Sequence, residues 1–537
     1  MRKLLLISVM LLYGAAPPAA PATLPADPSH WCGDPVEPSP HPGIMKGYGG
    51  GGFAIRTNVP AAQAFFDNGM QLAHAFAHKA AIAAFQEARR LDPACAMCAW
   101  GEAWSSGPTI NYGIGPDDRK KLADIVETAE KLAAGGSANE KALIDALKAR
   151  YADDKGNRAF AEKMDALATA NPADDELAVI AADALMIDSD YQASKMPRPV
   201  ALLETVLKRN PDYTPAIHFY IHATELAGYA DRATPYADRL AALAPAASHL
   251  VHMPAHTYFW IGRYADAATT NVRAVEISDE NAKRQKLAEP DGRWTLAYYG
   301  HNVSFGLAGA LMAGDAQSGL ALARPVVAMA ARSAQLTDGR EYPVGRAYVA
   351  LAILAPPAEM LAVADPGAGN PSARQSWHYA RGEAFARQGD VKAVLQEADA
   401  VQKGATPADD KVGQQIGHVA KLVLEGRAAM LSNRPADAAK KFTKAADIEE
   451  ANPLGGTSDP PAWWYPVRRD LAAALLADGK AEQAVAAADA SLKRRPHDAV
   501  ALSIRARAEE QLGRKQTAML DRREALHGWR GDPRAVS

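Results

Sequence analysis

Three pairs of histidines stand four residues apart: His74 and His78, His218 and His222, His252 and His256. Fourteen histidines spread over 537 residues would give about 0.4 such pairs by chance, so one pair alone is a weak signal and three are not. Residues i and i+4 share one face of an α-helix, which is the geometry that lets two imidazoles hold one metal ion. Zinc accepts three such nitrogens plus water at about 2.0–2.1 Å. Copper takes the same ligands, with Met253 nearby as a soft thioether donor. Glu225 lies close to the second pair, and a carboxylate beside a metal site can act as general base on metal-bound water. Two other uses of the same residues stay open. Pro254 interrupts His252-Met-Pro-Ala-His256, which reads equally as a helix start. Histidines can also hydrogen-bond a bound peptide or satisfy carbonyls inside a packed core.

The elements that must position these residues are helical. From Pro60 onward the apolar positions follow a helical period and the sequence repeats. Gly69, Ala81, Phe85, Ala88 and Pro93 fall at the eighth, twentieth, twenty-fourth, twenty-seventh and thirty-second places of a 34-residue helix-turn-helix unit. Small residues let the two helices of a hairpin approach, the aromatic fills the gap between hairpins, and proline ends the second helix. The register recurs at Gly426, Ala438, Phe442 and Ala445, and more weakly at Ala472, Ala484 and Pro496. Turn glycines at Gly228, Gly262, Gly314 and Gly389 mark degenerate copies between them, while residues 111–200 are helical without clear repeat boundaries.

This pattern resembles the tetratricopeptide repeat (TPR) family. The resemblance implies an all-α solenoid of stacked helix hairpins, whose first helices line a concave groove. It also implies that the second, fifth, ninth, twelfth and thirteenth places face that groove. Counting from Gly228 and Gly262, His218 and His222 take the fifth and ninth places of one repeat, and His252 and His256 the same places of the next. His249 and His301 take second places, Glu225 a twelfth, and His74 a thirteenth further along the array. Six histidines from three successive helices would then face one cavity, and neighbouring helices about 8–10 Å apart let their imidazoles meet. The expectation is one zinc or copper centre on His218, His222, His252 and His256, with His249, His301 and Glu225 around it. The rival is a metal-free scaffold binding a peptide, an envelope protein or a small molecule in the groove.

The segments His218-Phe-Tyr-Ile-His222, His249-Leu-Val-His252-Met-Pro-Ala-His256 and Tyr299-Gly-His301-Asn302 resemble a group of exported bacterial TPR proteins that share these motifs. The likeness extends to Asp92–Pro108 and to Trp464-Tyr-Pro-Val-Arg468. Tryptophans at helical spacing, Trp100 and Trp104, and the Trp463-Trp464-Tyr465 run suit packing between repeats more than ligand platforms.

Arg2 and Lys3, the short apolar run Leu4–Tyr13 and Ala20-Pro21-Ala22 form a cleavable secretory signal over residues 1–22. The expected product begins near Thr23 and is periplasmic or secreted. A proline- and glycine-rich leader follows over 23–59, then one array over 60–364, a linker at 365–372 and a second array over 373–537. The net charge of −3 offers no basic surface for nucleic acid, and no later segment is apolar for long enough to enter a membrane. Walker, G-x-S-x-G and dinucleotide-binding motifs are absent, and Gly49–Gly52 reads as a plain flexible run. In an oxidising compartment the cysteine at 95 or 98 should be bridged, either Cys95 to Cys98 or one of them to Cys32.

Overall fold

The computed structural model describes residues 42–288, 291–333, 335–336, 339–403, 406–407, 410–456 and 459–536. The signal segment and Cys32 lie outside them. Among the described residues every regular element is helical, from Pro60–His74 to the short turn Pro533–Ala535. Successive helices pack as antiparallel neighbours in a TPR-like α-solenoid. No described helix is long and apolar enough to cross a membrane.

The repeat signature works through close packing. Phe85 is fully buried between the helices Pro60–His74 and Ala96–Ser105. A Cβ on Gly69 would stand 2.7 Å from its ring, and one on Gly101 would meet the same ring. Phe442 occupies the equivalent place against Gly426. Adding a methyl group there forces the aromatic off its rotamer, so Gly101→Ala should cost about 1–3 kcal/mol, read as a lower denaturation midpoint. Trp100 and Trp104 stack on each other at 5.5 Å in the core, and Trp463 and Trp464 are buried.

The irregular stretch 111–200 resolves into hairpins whose starts are capped. Ser137 and Glu140 form a reciprocal capping box for Ala138–Tyr151, and Asp174 caps Asp175–Ile187. Around 365–372, the helix Pro371–Gln388 begins inside the expected linker. The Glu341 carboxylate accepts the backbone N–H groups of Ser372 and Ala373 at 2.7 and 3.0 Å. One hydrophobic core runs through the helices on either side. Later repeats also return to earlier ones: Tyr264 donates to the Pro496 carbonyl at 2.8 Å, and Arg346 to that of Pro461 at 2.6 Å.

Residues 42–59 contain no helix, as their composition implies, but they are pinned. Met45 exchanges hydrogen bonds with the Asn68 amide, and Gly50 N–H donates to Thr214 Oγ1. Gly51 and Gly52 have φ of 134° and 107°, and added Cβ atoms would lie 3.1 Å from the His74 ring and 2.5 Å from Asp67. The glycine run is therefore fixed rather than flexible. Its missing side chains let the leader lie against two helices.

Candidate metal centre

The helix Thr214–Ala227 carries His218 and His222, and ends on Gly228 in the left-handed conformation. The next repeat supplies His249 and His252 from Ser248–His252, and His256 from Pro254–Trp260. Pro254 does split these two helices, since proline at the first position needs no N–H partner. The break leaves Nε2 of His252 and His256 only 3.0 Å apart. His301 comes from the first turn of Tyr299–Ala313.

The structure brings all six together in three overlapping groups. His218, His222 and His249 form one triad, His252, His256 and His301 a second, and His222, Glu225 and His256 a third that bridges them, with one ligand atom of each residue inside 4.8 Å of its partners. Within the cluster His249 turns to His218 and His301 to His252. Nε2 of His218 lies 3.1 Å from Nε2 of His249, and Nε2 of His301 lies 3.0 Å from Nε2 of His252. The rings of His222 and His256 link the triads at 5.3 Å. Rather than lining an open groove, the cluster is buried: His218 and His252 are fully enclosed, and His301, the most open, is 17% exposed.

The outer nitrogens decide what the inner ones can do. His218 Nδ1 donates to the carbonyl of His74 at 2.7 Å, and His252 Nδ1 to Asn271 Oδ1 at 2.7 Å. Asn271 cannot be turned round, because its Nδ2 already donates to the Ala267 carbonyl. His256 Nδ1 donates to Glu225 Oε2 at 2.7 Å. With the proton on Nδ1, each neutral ring presents a bare lone pair at Nε2. Two such lone pairs, on His252 and His256, face each other at 3.0 Å and need a cation between them. Nε2 of His222, buried, has no hydrogen-bond partner among the described residues.

Burial pushes His218 down to about 3 and His301 to about 4, and holds His222, His249 and His252 well below the usual histidine range. These rings are neutral and ready to bind metal at pH 7. His256 behaves differently. Burial lowers it, but the carboxylates of Asp459 and Glu225 outweigh burial and hold it up to about 9. A proton on His256 is thus the cation of the metal-free cluster.

Glu225 has both oxygens engaged, one by His256 and the other by Trp260 Nε1 at 2.6 Å. The carboxylate nearest the inner nitrogens of the second triad is Asp459, whose Oδ1 lies 3.7 Å from His301 Nε2 and 3.4 Å from His256 Nδ1. Sequence reasoning missed Asp459, which stands more than 150 residues beyond His301; its nearness to the Trp463-Trp464-Tyr465 run was the available hint. It also missed Asn271. Met253 is packed in the hydrophobic core. His74 ends one helix and His78 begins the next, so this pair spans a turn and shares no helix face. His74 serves instead through its carbonyl on His218, while its Nε2 meets Glu176 at 2.5 Å. A disulfide joins Cys95 and Cys98 away from the histidines, at the start of Ala96–Ser105.

No family model matches the chain, and no curated protein does. Among solved structures, it is similar to the human IFIT1 dimer with m7Gppp-AAAA at 11% identity, covering 88% of this chain and 91% of that one, with a TM-score of 0.30. It is also similar to Naa15/Naa10 bound to HypK-THB, at 12% identity over 89% and 90% of the chains and a TM-score of 0.24. The APC/C hetero-tetramer Cut9–Hcn1 matches at 13% identity over 90% and 97%, with a TM-score of 0.24.

Proposed function

We propose that this protein is an exported TPR-type solenoid that carries a pair of metal ions, zinc or copper, for binding or for metal-dependent chemistry. One ion sits on His218, His222 and His249, the other on His252, His256 and His301. The observation that carries the reading is the facing of Nε2 lone pairs, with Asn271, Glu225 and the His74 carbonyl holding the outer nitrogens. Metal-binding histidines elsewhere are oriented by such outer partners. The donors fit the ions: all-imidazole sets suit zinc and copper and not magnesium or calcium, which prefer oxygen. Nitrogens 3.0–3.1 Å apart need little movement to take bonds of about 2.0–2.1 Å.

Within this reading Glu225 positions His256, and Asp459 is the carboxylate available to accept a proton or complete the second site. The chain's kinship with the exported bacterial group, through its HxxxH, HMPxH and YxHN segments, belongs to the same proposal. Elemental analysis and intact mass of protein purified from its native host test both parts. The expected result is about two zinc or copper ions per chain on a product beginning near Thr23. Metal-free protein would leave the peptide-binding scaffold as the better reading, and retention of Met1 on a cytoplasmic product would refute export.

A further inference from the structure

The two imidazole triads differ in their access to water. In the first, His218 is fully enclosed, and His222 Nε2 and His249 Nδ1 are both sealed from solvent. A cavity of about 840 Å³ reaches the His249 ring, yet the ring presents it no ligand atom. Phe76 and Tyr298 pack over that ring at 4.9 and 4.2 Å, Nδ1 is closed off, and Nε2 faces His218. In the second triad His252 and His256 are enclosed as well, but His301 is 17% exposed and Asp459 beside it 39%. Among the described residues, the cluster is most open to water along this edge, where Asp459 Oδ1 and His301 Nε2 stand 3.7 Å apart.

The carboxylate on that edge is held in place. Arg346 Nη2 donates to the carbonyls of Pro461 and Ala462 at 2.6 and 3.3 Å, just beyond Asp459 in the chain. Its Nη1 donates at 3.2 Å to the carbonyl of Ser304, about one turn past His301 on the same helix. One guanidinium thus ties the Asp459 loop to the helix that carries His301, which makes Arg346 a positioning residue. The geometry also sets Asp459 apart from the ligands. Its Oδ1 lies 3.4 Å from His256 Nδ1, the nitrogen turned outward to Glu225, whereas His256 Nε2 faces His252. Asp459 therefore stands beside the triad rather than across it.

Zinc sites divide along the same line: structural ones are closed, whereas catalytic ones keep a position for water or substrate. We propose that the ion on His252, His256 and His301 is the reactive one, with a position open to water or a small anion on the His301 side, and that Asp459 is the proton acceptor for what binds there. The ion on His218, His222 and His249 is structural. This inference rests on the metal reading above and names its chemistry. A water or hydroxyl group at the open position loses its proton to the Asp459 carboxylate, the opening step of a hydrolysis.

Cobalt(II), which stands in for zinc with a visible spectrum, and azide, a small anion, are the probes. In cobalt-loaded protein, azide should shift the spectrum of His218→Ala, which keeps the second site, and leave that of His252→Ala, which keeps the first, unchanged. Asp459→Asn should retain the wild-type cobalt content and bind azide at least about fivefold more tightly, since one like charge about 4 Å away is worth that much even in water. A response in His252→Ala, or none in His218→Ala, overturns the division of roles. Loss of cobalt from Asp459→Asn would make Asp459 a ligand, and unchanged azide affinity would place it away from the open position; either result refutes its part. Wild-type protein that takes up no cobalt refutes the metal reading itself. Should a histidine variant fail to fold, wild-type cobalt crystals soaked in azide decide. Azide on the ion beside Asp459 alone supports the proposal, and azide on the other ion or on neither refutes it.

Discussion

His252→Ala is expected to release one metal ion and leave the other, and His218→Ala to do the reverse. His252 Nε2 stands 3.0 Å from both His256 Nε2 and His301 Nε2, so its loss removes the common partner of the second triad. The first triad keeps all three rings, because none of its members is held through His252. Metal stoichiometry should fall from about two to about one per chain in either variant. The affinity of the damaged site should drop by more than the 10–100-fold typical of losing an outer partner. Glu225→Gln is the graded control, since it disturbs only the acceptor at His256 Nδ1 and should fall inside that range. A single shared centre would behave otherwise, with either histidine substitution abolishing all bound metal. Elemental analysis of the variants, beside circular dichroism to verify the helices, reads the difference directly.

The metal-free chain should be strongly acid-labile, and the sign follows from the buried rings. Burial holds His78 down to about 4, His218 to about 3 and His301 to about 4, with His222, His249 and His252 also well below the usual range. In the unfolded chain each takes a proton near pH 6.5, so the unfolded state binds more protons below that pH. The stability these groups contribute is present above pH 6.5 and is lost as pH falls through 4 and then 3. A shift of that size in one group is worth about 3 kcal/mol, a large share of the 5–15 kcal/mol that holds a whole domain. His256 has the opposite sign: held up to about 9, it stabilises fully below 6.5 and loses that effect as pH rises through 9. One group of that sign is outnumbered by six. Unfolding of the metal-free protein between pH 6.5 and 4, followed by far-ultraviolet circular dichroism, is the expected outcome. A constant denaturation midpoint across that range would contradict it. Bound metal adds to stability at neutral pH, because its ligands are the neutral rings that only the folded chain assembles.

The fold was legible in the sequence because its determinants are local. Gly69, Phe85 and Ala88 need only a helical period to find one another, and the fully buried Phe85 shows that the register was read correctly. The six histidines were legible for the same reason, since places in a repeat fix which helix face a residue occupies. Which rings approach one another was not, because it depends on side-chain directions across helices. His249 lies one turn before the His252 pair in sequence, yet it turns toward His218 of the preceding repeat. Asp459 could not be found at all by periodicity, since it arrives from a distant loop whose neighbours Pro461 and Ala462 are held by Arg346. Burial was the other blind spot. The repeat register says which face a residue takes, but the packing of Phe76 and Tyr298 over the rings closes what would otherwise be an open groove.

The central claim is that six imidazoles hold two ions, and X-ray diffraction at the zinc and copper absorption edges tests it most directly on protein from the native host. The expected result is two anomalous peaks per chain. One should lie about 2.0–2.1 Å from nitrogens of His218, His222 and His249, the other at the same distance from those of His252, His256 and His301. A cluster without any anomalous peak, or one peak ligated jointly by His218, His222, His252 and His256, would contradict it.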